Sequence, residues 1–139
     1  MDNKQRLKLY YAKTTQSVEV AKQISTTLDA IRQHSLSLDY EQVNQHNAKA
    51  TELSETLREL HNQRRVLAEQ LGCNQPRFAT EMIARVSGNT AKALEQVTDA
   101  LHQVVLDCQN KSELHTNLVI AQQQVIHQAV DSLRVKVSA

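Results

Sequence analysis

Residues 39–72, DYEQVNQHNAKATELSETLRELHNQRRVLAEQLG, decide the fold. Val43, His46, Ala50, Leu53, Leu57, Leu60, Arg64, Leu67 and Leu71 recur at spacings of three and four, the seam of a helix packed along its whole length. Asp39 can cap the first turn with Gln42 at the capping-box position, and Gly72 can end the helix in the left-handed conformation. At 1.5 Å per residue the helix spans roughly 48 Å, too long and too one-sided to stand in water without partners along that seam. On this reading the remaining chain is organised around it.

Working towards the N-terminus, Leu7, Tyr10, Thr14, Val18, Ala21, Ile24, Leu28 and Ile31 repeat the pattern. A second long helix is predicted over about residues 4–35, and the short link 34–39 makes an antiparallel hairpin with 40–71 the economical arrangement. Thr14 and His46 weaken the seam and are expected as polar residues half-covered at the helix interface.

Beyond Gly72, Pro76 lacks an N–H and suits the first turn of a third helix, predicted over about 76–137. Ala79, Met82 or Ile83, Val86, Thr90, Leu94, Val97, Leu101, Val104 and Cys108 keep one phase across Ser87-Gly88-Asn89, which argues for one helix, kinked at most. The alternatives are a break at Gly88 or in the polar segment 107–113. After that segment Leu114, Leu118, Val119, Val125, Ile126, Ala129, Val130, Leu133, Val135 and Val137 spread over two adjacent faces. That is more apolar surface than packing on a two-helix hairpin uses, so a docking site for a partner helix is expected there; closure of this chain's own bundle or of a homodimer is the alternative.

The fold class is therefore all-α: one elongated domain built from an antiparallel helical hairpin plus a long third helix, straight or kinked, a three-helix bundle or coiled coil. Composition agrees, with only two Gly, one Pro, one Phe and no Trp in 139 residues. A net charge of +1 from interspersed signs leaves no electrostatic footprint for nucleic acid or for a membrane surface. No apolar run approaches the roughly 18–20 residues that cross a bilayer, and the first residues lack the apolar core of a signal peptide, so a cytoplasmic protein is expected. Cys73 and Cys108 stand far apart with no CxxC spacing and are expected as reduced, structurally minor thiols.

No catalytic, cofactor or metal residues are expected. A helical bundle builds a metal centre from repeated Glu-x-x-His pairs, and the nearest match is a single Asp99-Ala-Leu-His102. The six His, at 34, 46, 61, 102, 115 and 127, show no HExxH pattern. There is no glycine-rich phosphate loop. Arg64 and Arg65, with Lys4, Arg6 and Lys8, could meet an acidic partner, although solvated helix faces are the default for such charges.

Lys49, Glu52, Leu53, Leu57 and Leu60, then Gln63-Arg64-Arg65 before Leu67 and Leu71-Gly72, resemble the central helix of FlgN-type flagellar type III export chaperones. The stretch LHTNLVIAQQQVIHQAVDSLR, with Asn117, Leu118, Gln122 and Leu133, is similar to that family's last helix. The resemblance covers roughly residues 36–135. It implies a cytoplasmic, non-catalytic chaperone that holds hook-associated (hook-filament junction) proteins by their C-terminal segments and delivers them to the export gate and its ATPase complex. The partner-binding residues it implies are Leu114, Asn117, Leu118, Val119, Gln122, Val125, Ile126, Ala129, Val130 and Leu133. One departure is that such chaperones often carry a tail with Tyr and Gly for the gate, whereas here no Tyr follows Tyr40. The competing expectation is a structural coiled-coil module or scaffold that self-associates through its C-terminal helix.

Overall fold

The computed structural model describes the backbone of residues 1–138 and the side chains of residues 1–116, 120, 124 and 127–131. Four helices follow one another: α1 (Asn3–Leu36), α2 (Tyr40–Gln70), α3 (Phe78–Arg85) and α4 (Gly88–Ser138). No strand occurs among the described residues. The all-α class and the hairpin of two long helices are as the periodicity predicts.

Local chemistry sets each boundary. Asp2 caps α1 through a reciprocal capping box with Gln5. The α1–α2 turn closes as a Schellman motif, Asp39 N–H to His34 C=O at 2.9 Å and Leu38 N–H to Ser35 C=O at 3.2 Å. That motif puts Leu38 at φ +59°, the left-handed position a glycine would fill more cheaply. Asp39 then caps α2, accepting from the Gln42 N–H at 3.3 Å. The end of α2 repeats the motif with glycine in place: Cys73 N–H reaches Ala68 C=O at 2.8 Å and Gly72 lies at φ +87°. Arg85 of α3 adds a second cap, donating to the carbonyls of Leu71 at 3.0 Å and Gly72 at 2.8 Å.

The third helix of the sequence reading is two helices. The chain turns at Val86-Ser87, α4 begins on Gly88 at φ +61°, and α3 begins at Phe78, with Pro76 in the turn before it. Phase is kept across the turn because Phe78 and Met82 of α3 and Leu94 of α4 bury themselves in one cluster with Tyr10, Leu67, Ala68 and Cys73. A stripe records which face is buried, whether or not the backbone is continuous. By contrast α4 runs unbroken through 107–113. Two of its polar residues there, Asp107 and Lys111, face α1: Lys111 Nζ lies 2.9 Å from Asp29 and 2.7 Å from Ser25 Oγ, and Ser25 donates to Asp107 at 2.7 Å.

The central helix is α1, not α2. It packs along both α2 and α4, whereas no Cα of α2 comes within 8 Å of one in α4 among the described residues. Side chains show the directions. Antiparallel α2 brings Leu67 to Tyr10, Leu60 to Val20 and Ile24, and His46 to His34, their rings stacked at 5.3 Å. Parallel α4 brings Leu94 to Tyr10, Leu101 to Val18 and Ala21, and Cys108 Sγ to the Ala21 carbonyl at 3.4 Å.

Serving two neighbours needs a wider buried face, and α1 builds it partly from small residues: Thr14 and Ala21 of the predicted seam and Ser17 and Thr27 outside it are all buried. The three hydroxyls donate to carbonyls four residues back, each at 2.8 Å, so burial leaves none of them unpaired. Thr14 is therefore a full core residue, not a half-covered one. Cys73, at 1 % exposure, is also structural core, more than a minor thiol.

Candidate functional site

Two of the surfaces that this packing leaves open bear on function. The first is the far end of α4. Asp29–Lys111 and Ser25–Asp107 pair at the same sequence offset of 82, which places residue 118 of α4 level with the end of α1 at Leu36. Helix α4 continues to Ser138, so at 1.5 Å per residue about 30 Å of it runs past the hairpin turn. Of the partner-binding residues expected from sequence, Leu114, Ala129 and Val130 are exposed. Ile120, which the sequence reading passed over, is 48 % exposed and shares this stretch. At 100° per residue, Leu114, Ile120 and Val130 point to different sides, so the apolar surface is broad. The side chains of Asn117, Leu118, Val119, Gln122, Val125, Ile126 and Leu133 lie outside the described residues.

The second surface is the channel between α2 and α4, which both pack on α1 while their own backbones stay more than 8 Å apart among the described residues. A hollow of about 330 Å³ there is lined by Leu57, Leu101 and Val105 with Ser54, Arg58, His61 and Arg64. Arg64 is the residue that sequence reasoning misjudged: it is 6 % exposed, not part of a solvated face. Its Nε has no hydrogen-bond partner, and no carboxylate among the described residues forms an ion pair with it. Its buried neighbour is Tyr10, whose hydroxyl is likewise unpartnered.

The electrostatics follow from that burial. Desolvation pushes the Tyr10 phenol above its ordinary value, with the Arg64 cation opposing. Desolvation also draws Arg64 downward, with Tyr10 opposing. His61 sits below the usual histidine range, first through burial and then through Arg64 and Arg65. Burial raises the Cys73 thiol, against the pull of Arg85. Arg58 and Arg65 are already paired along their own helix, with Glu55 at 3.1 Å and Glu69 at 2.7 Å.

A pattern of three and four spacing assigns Arg64 correctly to the α2 seam but says nothing of what faces it. The signal that could have found it is the one cation in an otherwise aliphatic seam. Among the described residues no group of three or more His, Cys, Asp and Glu is placed to hold a metal ion, and no helix is long and apolar enough to cross a membrane. Comparison with known protein families, curated proteins and solved structures returned no match.

Proposed function

We propose that this chain is a cytoplasmic export chaperone of the FlgN type, binding the C-terminal segment of hook-associated proteins along the last part of α4 and handing them to the export gate and its ATPase complex. The observation that carries the reading is the projection of α4 about 30 Å past the hairpin with Ile120 and Val130 exposed on it and Leu114 exposed one turn before it. A disordered client segment folds there as an amphipathic helix and hides its own apolar face while it waits. Ordering the client offsets part of the contact energy, which sets the affinity near 1 μM, tight enough to hold and weak enough to release. The mechanism is masking and delivery, with no chemical step and no nucleic-acid partner.

The test is calorimetric titration of the full chain with C-terminal segments of hook-associated proteins. Saturable one-to-one binding is expected, lost in Leu114→Asp, Val125→Asp, Ile126→Asp or Val130→Asp and on truncation after Lys111. Binding that survives those changes refutes the site. No binding, with a concentration-dependent dimer abolished by the same substitutions, replaces the reading with a self-associating coiled-coil scaffold, the other occupant that would cover these exposed residues.

A further inference from the structure

We infer that the channel between α2 and α4 is a second docking site, one that takes an acidic amphipathic helix of a partner protein and pairs a carboxylate of that helix with Arg64. The inference stands apart from the chaperone reading, because the channel lies wholly within residues 54–105 and uses nothing from the end of α4.

Helices α2 and α4 both pack on α1 with their own backbones more than 8 Å apart, and although Leu57 and Leu67 of α2 share clusters with Leu101 and Leu94 of α4, a groove that can take a further helix runs between them. From Ser54 to Arg64 the channel follows α2 for ten residues, about 15 Å, the length of roughly three helical turns. Its walls are aliphatic: Leu57 on one side, Leu101 and Val105 on the other. An apolar stripe at i, i+3 and i+4 spacing is the surface that fits them.

Charge decides the sign of the occupant. A guanidinium buried without a carboxylate is costly, and the polar group beside it, the Tyr10 hydroxyl, is neutral and offsets its charge only in part. The nearby carboxylates are engaged elsewhere, Glu55 with Arg58 and Glu69 with Arg65. Among the lining residues Arg64 is the buried cation without an ion pair, and none of them is an acid. A free inorganic anion would satisfy Arg64 but leave Leu57, Leu101 and Val105 uncovered. A helix with one carboxylate set among apolar side chains satisfies both, and a bidentate pairing fixes its register.

The test selects helical peptides of about 16 residues from a displayed library, with an apolar stripe and a fully randomised central position, against the full chain. The expected result is enrichment of Glu or Asp at that one position. A selected peptide should bind Arg64→Met at least tenfold more weakly, its Glu→Gln version should lose as much, and the two changes together should cost no more than either alone. Val105→Trp, which fills the channel from the α4 side, should also abolish binding, while Val130→Asp should leave it unchanged. Arg64→Met should melt no lower than the parent chain, because an unpaired buried cation is replaced by an apolar chain of similar length. No acidic preference, equal binding to Arg64→Met, or a lower melting temperature in that variant overturns the inference. A dimer of the chain that Arg64→Met dissolves would assign the channel to a second copy and overturn it too.

Discussion

Replacing Leu94 by Ala tests the architecture at its most economical point, because Leu94 is the α4 residue that joins the main cluster of Tyr10, Leu67, Ala68, Cys73, Phe78 and Met82. The side chain is 1 % exposed, so truncation removes three carbons from a fully dry environment. At about 0.8 kcal/mol per carbon the transfer part is about 2.4 kcal/mol. The rigid walls, two aromatic rings among them, collapse little, and the cavity brings the total to about 3 kcal/mol. That is a shift of roughly 150-fold in the folding equilibrium, and with urea slopes of about 1–3 kcal/mol per molar the midpoint falls by at least about 1 M. The assay is equilibrium unfolding followed by circular dichroism, with Leu114→Ala as control. Leu114 is on the same helix but 52 % exposed, and its truncation should stay within about 0.5 kcal/mol. A loss below about 1 kcal/mol for Leu94→Ala, or equal losses for the two leucines, would refute the parallel docking of α4 on α1.

The two Schellman turns make opposite predictions: Leu38→Gly relieves a left-handed backbone at φ +59° and should stabilise by about 1 kcal/mol, read as a higher urea midpoint. Gly72→Ala should destabilise by more than that, because a Cβ at φ +87° would stand 2.7 Å from Arg85 Nη1 and push away the guanidinium that caps α2. Lys111→Met should loosen α4 from α1 by about 0.5 kcal/mol, the scale of a screened pair, with the difference shrinking as salt is raised. The hydrogen bond to Asp29 raises the Lys111 pKa above 10.5, so its contribution is complete below that pH and lost as pH climbs through the folded value. His61 has the opposite sign: its folded pKa lies below 6.5, so the unfolded chain takes the proton more readily and stability falls as pH drops below that value. Arg64→Met should move the His61 titration upward, followed by its ring resonances in NMR.

What the sequence makes legible here is faces, and what it hides is neighbours. Nearly every apolar position assigned to the seams of α1 and α2 is covered, because a periodicity of three and four is a direct record of one-sided burial. The same record is silent on whether one helix or two carry the stripe, and Val86-Ser87 interrupts α3 and α4 without disturbing it. It is equally silent on how wide the buried face of α1 is, because Ser17 and Thr27, whose hydroxyls bond their own helix, look polar in a pattern and behave as small core residues in the fold. That wider face lets α1 meet both α2 and α4 as the central helix, although α2 carries the more regular aliphatic seam. Arg64 follows from the same limit. Its position in the α2 seam predicts burial, its charge predicts exposure, and the helix pattern cannot arbitrate between them. In the folded chain burial prevails, because Leu60 and Leu67, one turn to either side, are both held in the core, and the seam carries Arg64 in with them. A cation drawn inward by its neighbours, with no acid supplied to meet it, is a local conflict within the sequence, and such conflicts are where a partner's contribution is to be sought.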